Sequence, residues 1–190
     1  MDLVRHQIEI AAGSPLALAQ DDLSMRGHAI ECRIYAEDPE QNFMPSPGAV
    51  TFLQEPSGPG IRNDCGVYSG VEVPMEYDPI ISKLVVHAET REASIQRMVR
   101  ALETYTILGV KTPISFLLDV LESQPFADGA TYTDFIDTHF ADWAPNSADL
   151  DLAALAWVAD AMAPGSQRTT TTVGQVKHTG PWQSLANWRL

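Results

Sequence analysis

Residues 28–36, HAIECRIYA, alternate in character at every step: His28, Ile30, Cys32 and Ile34 fall on one face of an extended chain, and Ala29, Glu31, Arg33 and Tyr35 fall on the other. A period of two is incompatible with an amphipathic helix. It calls for a sheet with one side to bury and one polar side left open. The rest of the chain must supply partners for this strand. AVTFL (49–53), VYSGVEV (67–73) and IISKLVVHA (80–88) have the composition to do so. Turn-rich segments separate them, with Pro39, Pro45, Pro47 and Gly48 in one and Pro56, Gly58, Pro59 and Gly60 in another. Tyr77, Asp78 and Pro79 lead into the last run.

Helical periodicity appears before and after these strands. Asp2 is an expected N-cap for a first helix with Val4, Ile8, Ala11 and Ala12 on one face and a stop at Gly13. A chain that opens inside such an element reads as cut from something longer. Thr90 is expected to cap a second helix with Ile95, Met98, Val99 and Leu102 inward. Thr112, with Pro113 at the first helical position, is expected to start a third with Ile114, Leu117, Leu118 and Leu121. Strands followed by helices predict an α+β fold, an antiparallel sheet with flanking helices, rather than alternating βαβ units. Residues 1–144 are expected to form this domain. Residues 145–190 read as a linker and the start of an inter-domain segment: APNSADLD, an Ala-rich helix LAALAWVADAM, the polar SQRTTTTVG, and PWQSLANWRL with two Trp and no core around them.

Electrostatics narrows the function classes. Twelve Lys and Arg against 25 Asp and Glu give a net charge of −13, which repels nucleic acid and anionic membranes. No window approaches the ~18 apolar residues of a membrane span, and the N-terminus lacks the order of a signal peptide. Cys32 and Cys65 have neither CxxC spacing nor a histidine array, so no metal site is expected and reduced thiols are. The expected location is the cytoplasm, or the mitochondrial matrix if the source is eukaryotic.

Motifs for nucleotide cradles, zinc hydrolases and serine nucleophiles are absent. SGPGIR resembles a phosphate loop superficially, but Pro56 and Pro59 remove donor N–H groups, so a structural turn fits better. Arg33 is the most informative residue. On a polar strand face beside Glu31 it is either a sheet-surface arginine paired with that glutamate or an anion site using a planar guanidinium. Arg62 admits an anion contact or an interface ion pair. His28 reads as a core or edge histidine, and Glu37 and Asp38 as turn caps.

Taken as consecutive words, GHAIECRIYAEDP, FMPSPG, YSGVEVPMEYDPIISKL and GVKTPISFL, with the opening DLVRHQIEIAAGSPL and the helical RMVRAL, resemble the C-terminal domain of biotin carboxylases. The resemblance runs from Asp2 to about Phe140 in the family's order. It extends more weakly through PWQSLANWRL toward the biotin-containing alpha subunits of acyl-CoA carboxylases of the acetyl-, propionyl- and methylcrotonyl-CoA type.

The resemblance implies a role in a two-stage reaction, in which ATP and bicarbonate give carboxyphosphate and the carboxyl group then passes to the ureido nitrogen of biotin. Two anions in close proximity need a permanently charged cation at the transfer point. Arg33 matches the family's arginine in the ECR motif and is the expected catalytic residue; Tyr77, Asp78 and Glu31 are second-tier candidates for the biotin pocket. Arg62 matches a dimer-interface position. ATP and Mg2+ would be bound mainly by an ATP-grasp half that precedes this region in the family, and biotin would be carried on another domain. Expected partners are that half, a carboxyltransferase subunit, the biotin carboxyl carrier domain and a second copy in a homodimer. Alone, the chain is expected to be inactive. The alternative is a non-catalytic dimerisation or assembly module.

Overall fold

The computed structural model describes residues 1–145 and, beyond them, residues 152–156 and 158–159. The latter are helical, as expected for the Ala-rich segment. The remaining sequence readings for 146–190, the linker and the Trp-containing end, lie outside the described residues. Residues Met1–Pro145 form one compact unit.

In chain order the elements are α1 (Leu3–Ala11), β1 (His28–Tyr35), β2 (Glu37–Asp38), β3 (Met44–Pro45), β4 (Gly48–Ala49), β5 (Phe52–Gln54), β6 (Ile61–Cys65), β7 (Glu72–Val73) and β8 (Ile80–Ala88), followed by α2 (Arg91–Glu103), β9 (Thr106–Leu108), α3 (Ile114–Glu122), α4 (Gln124–Ala127) and α5 (Phe135–His139). The fold is α+β as expected. Every strand pair is antiparallel: a three-stranded sheet in the order β1-β8-β6, and the two-stranded pairs β2-β3, β4-β7 and β5-β9.

The alternation of β1 sets the inner face. Ile30 pairs with Val86, Cys32 with Leu84 and Ile34 with Ser82, and all six are buried. Helix α2 covers this face with Met98, Ala101 and Leu102, its N-terminus capped by Thr90, whose hydroxyl accepts from Ala93 N at 3.1 Å. Most of the polar groups trapped beneath it find partners, the exception being the buried Asn63 Oδ1. Ser94 Oγ donates toward His28 O (2.7 Å), and Tyr105 Oη donates to Ser82 Oγ (2.8 Å) while accepting from Asn63 Nδ2 (3.2 Å). His28 is half-buried, its Nε2 3.1 Å from Arg91 Nη1, in keeping with the edge-histidine reading.

Several expectations require correction. AVTFL is not one strand: Ala49 pairs with β7 and Phe52 with β9, and the buried Val50 marks the switch between partners. Only Glu72–Val73 of VYSGVEV is strand, because Ser69 and Gly70 turn. The third helix begins one residue later than expected, with Pro113 itself in the cap position and no side-chain cap from Thr112. Its buried anchor is Phe116, which meets Phe43, Phe140 and Trp143 edge-to-face at centroid distances of 5.0, 5.6 and 5.2 Å.

The crossing of β5-β9 with the preceding loop depends on Gly109. Its φ is +103°, and a Cβ there would collide with Ala49 O and stand 2.9 Å from Thr51 N. Gly109→Ala is therefore expected to destabilise the chain by about 3 kcal/mol, read as a shift in the urea midpoint at unchanged slope.

Burial pushes the Cys32 thiol up to about 12 and the Tyr105 hydroxyl up to about 12. Both lose protons more readily when unfolded, so at high pH the native state holds more protons than the unfolded one. The associated stability is complete below about pH 9 and is lost as pH rises from there toward 12. Melting temperature is expected to fall across that window, with a shallower fall for Cys32→Ala.

Candidate functional site

The outer face of the three-stranded sheet carries what β1 does not bury. Register places Arg33 opposite Lys83 and Lys83 opposite Asp64, and the next outward row is Glu31, Val85 and Arg62. Ion pairs run along the strands. Arg33 Nε donates to Glu31 Oε1 at 3.1 Å, and Arg62 Nε donates to Asp64 Oδ1 at 2.9 Å. Each pair is an i, i+2 neighbour on one strand face. Glu31 and then Tyr35 hold the Arg33 guanidinium even further above its usual range, and it stays charged. The same bond from Arg62 holds Asp64 below the usual carboxylate range.

Arg33, with a side chain 61% exposed, opens onto a cleft of about 340 Å³ that Lys83, Asp64, Gly66, Ile80, Ile81 and Ser82 also line. A guanidinium has five N–H donors, more than Glu31 and Tyr35 consume. The cleft thus offers a held, always-charged fork beside a lysine, which suits a planar anion. A larger cavity of about 530 Å³, between Pro47 and Glu76, has Glu72 and Glu76 as its charged groups and suits no anion.

Tyr77 and Asp78 lie at the same end of the sheet as Arg33, because Ala36 N donates to Pro79 O at 2.7 Å and ties the end of β1 to the start of β8. Both are exposed, Tyr77 at 79%. Neither is hydrogen-bonded to Arg33; the carboxylate that orients the arginine is Glu31. Asp38 caps the turn that follows β2, accepting from Glu40 N at 3.1 Å, and Glu37 is shifted upward by burial. Lys111 closes this corner. It reaches Glu40 at 3.0 Å and Asp38 at 3.8 Å, and its backbone N–H donates to Ser46 Oγ.

Sequence reasoning missed three of these groups. Asp64 was within reach, since the i, i+2 rule that joined Glu31 to Arg33 also joins Asp64 to Arg62. Lys83 needs the register of β8, and Lys111 needs a contact across some 70 residues; no local signal marks either. Among the described residues, no group of three or more His, Cys, Asp or Glu could hold a metal ion, and no helix is long and apolar enough to cross a membrane.

Residues 31–138 match the family model of the biotin carboxylase C-terminal domain. One of the subunits of pyruvate carboxylase from Methanothermobacter thermautotrophicus is 47% identical over 139 residues, which are 73% of this chain and 28% of that protein. Biotin carboxylase 1 of Bacillus subtilis is 44% identical over 138 residues, 73% of this chain and 31% of its own. The crystal structure of the biotin carboxylase domain dimer of Hydrogenobacter thermophilus 2-oxoglutarate carboxylase, in complex with MgADP, ADP and bicarbonate, matches with a TM-score of 0.69 at 42% identity, covering 76% of this chain and 32% of that one. The chain therefore spans about 30% of the length of these relatives.

Because the Arg33–Glu31 pair lies on an open sheet face, its removal is expected to leave the fold intact. Arg33→Ala and Glu31→Gln should each keep the melting temperature within about 2 °C of the parent chain, measured by circular dichroism.

Proposed function

The chain belongs to the biotin carboxylase C-terminal domain family, and from that premise we propose that it supplies one wall of a site where biotin is carboxylated at the expense of ATP and bicarbonate. The observation that carries this reading is Arg33: a cation held by Glu31 on a rigid strand, beside Lys83, at the mouth of an open cleft. Arg33 binds an anionic carboxyl group there and stabilises the negative charge that develops at the transfer point; a donor fixed in advance costs no reorganisation when that charge appears. Glu31 keeps the guanidinium aimed, and Lys83 adds a second positive charge. Tyr77 and Asp78, at the same end of the sheet, border the biotin pocket. Biotin, carried on another domain, supplies the ureido nitrogen that accepts the carboxyl group.

Among the described residues no group of three or more His, Cys, Asp or Glu could hold a metal ion, and the sequence carries none of the usual nucleotide-cradle motifs. MgATP accordingly belongs to the ATP-grasp half, in the larger part of the relatives that this chain does not span, and the chain by itself is inactive. Arg62, exposed on the outer sheet row, faces a second copy in a homodimer. The biotin carboxyl carrier domain and a carboxyltransferase subunit complete the assembly, in the cytoplasm or the mitochondrial matrix. The acyl-CoA carboxylase type is favoured by the weaker resemblance of PWQSLANWRL to the biotin-containing alpha subunits. A pyruvate carboxylase is the second reading, favoured by the 47% identity to the protein of Methanothermobacter thermautotrophicus.

A covalent chimera tests the catalytic reading. Residues 2–140 replace the corresponding C-terminal part of Bacillus subtilis biotin carboxylase 1, and biotin-dependent ATP hydrolysis is measured with bicarbonate and Mg2+. The chimera should be active, and Arg33→Ala should lower its rate about 100-fold or more at unchanged melting temperature. A folded, dimeric but inactive chimera would favour the assembly-module alternative. Full activity in the Arg33→Ala chimera would remove the arginine from the chemistry.

A further inference from the structure

Helix α2 carries its charges on separate stripes. Ala93, Arg97, Arg100 and Thr104 recur at spacings of three and four and share one side, while Glu92 and Glu103 lie roughly a quarter-turn away. The arginine side meets the turn at 57–60 ahead of β6, and helix and turn enclose a cavity of about 390 Å³ that Pro59 and Ile61 also line. Neither arginine has an ion-pair partner among the described residues, although the chain carries 25 Asp and Glu. The carboxylates that flank the turn in sequence are engaged elsewhere. Glu55 accepts from Asn63 Nδ2 at 2.7 Å, and Asp64 accepts from Arg62 Nε at 2.9 Å. Arg97 is anchored: its Nη1 donates to His87 O, and Gly60, at φ +72°, leaves the room, since a Cβ there would collide with both groups. A guanidinium has five N–H donors, so one such bond leaves most of them available. The Arg100 side chain is exposed and has no hydrogen-bond partner among the described residues.

We propose that this cavity binds a phosphate monoester of a small molecule, at a site separate from the Arg33 cleft. The two sites lie on opposite sides of the sheet. Arg33 opens outward beside Lys83 and Asp64, whereas the cavity is on the α2 side, where β6 begins. The inference does not depend on the carboxylation reading. Three observations select the ligand. Two guanidiniums one helical turn apart offer more donors than a planar carboxylate accepts, and the three terminal oxygens of a phosphate ester can engage both. The volume exceeds that of a bare phosphate and falls within the roughly 300–1,000 Å³ of small-molecule sites. Pro59, Ile61 and Ala93 give the organic part of an ester an apolar wall. A net charge of −13 disfavours a nucleic acid as the source of the phosphate. Pro56 and Pro59 disqualify the turn as a phosphate cradle, but a wall needs no N–H groups when the donors come from the helix.

The test titrates the 190-residue chain with phenyl phosphate, inorganic phosphate and benzoate at matched ionic strength, read by calorimetry and by broadening of the phosphorus NMR line. Phenyl phosphate should bind with a dissociation constant of about 1 mM or below, and the other two about 5-fold or more weakly, since each lacks either the ring or the phosphate. Arg100→Gln, at an exposed position, should weaken phenyl phosphate about 10-fold with the melting temperature within about 2 °C of the parent, and Arg100→Lys about 3-fold. Arg33→Ala should leave the affinity unchanged. Loss on Arg33→Ala with Arg100→Gln indifferent would put the anion in the outer cleft and overturn the proposal. Equal affinity for benzoate would make the cavity a carboxylate site and overturn the phosphate assignment. No saturation below about 20 mM, where only ionic screening remains, would overturn it as well. So would light scattering that finds the chain dimeric and the Arg100→Gln variant monomeric, because the arginines would then serve a second copy. The carboxylation reading survives each of these outcomes, and the chimera tests it separately.

Discussion

The antiparallel pairing of β1 with β8 is the interaction on which the rest depends. It runs in one register from His28–Ala88 to Ile34–Ser82 and shifts only at Tyr35. Because side chains alternate, that register decides two things together: that Ile30, Cys32, Ile34, Leu84 and Val86 face α2, and that Glu31, Arg33 and Lys83 face out. A slip by one residue would put an arginine and a glutamate under the helix and the core in water. Stability and site are therefore consequences of a single alignment. The bulge at Ile34/Tyr35 and the bond from Ala36 N to Pro79 O pin it at the end where Arg33 stands.

What was legible in the sequence was whatever depends on near neighbours. The alternation in HAIECRIYA marked both faces of β1 and the Glu31–Arg33 pair, and Asp2 and Thr90 announced their caps, each accepting from the backbone three residues on. The face of α2 followed from helical spacing. Pairing partners did not follow. AVTFL has the composition of one strand but serves two, because Gly109 lets the chain pass close against Ala49 and divides the run between β7 and β9. Lys83 becomes a neighbour of Arg33 only through register, and Lys111 meets Asp38 and Glu40 only when the whole domain is folded. Phe116 escaped notice because the expected stripe of α3 was aliphatic, whereas its deepest anchor is aromatic and packs with Phe140 and Trp143 beyond the helix.

The outer sheet face shows how a strongly acidic chain keeps a cationic spot. Arg33 and Lys83 are adjacent across β1 and β8, while Glu31 and Asp64 are bonded along their own strands rather than across to the lysine. The carboxylates hold the arginines in place without covering them. A guanidinium tolerates this arrangement where an ammonium would not, since it can donate to a carboxylate through Nε and still present other donors.

The partners β1 and β8 are separated by 45 residues at Tyr35–Ile80 and by 60 at His28–Ala88. Closing so long a loop is slow relative to forming the nearer β6–β8 pair. During synthesis at roughly 5–20 residues per second, β1 leaves the ribosome several seconds before its partner exists. For that interval its backbone N–H and C=O groups are unpaired and its apolar row of Ile30, Cys32 and Ile34 is uncovered. The charged row opposite, Glu31 and Arg33, then serves as a gatekeeper that keeps nascent chains from pairing with one another. The arginine at the mouth of the cleft thus has an earlier duty, performed before there is a cleft.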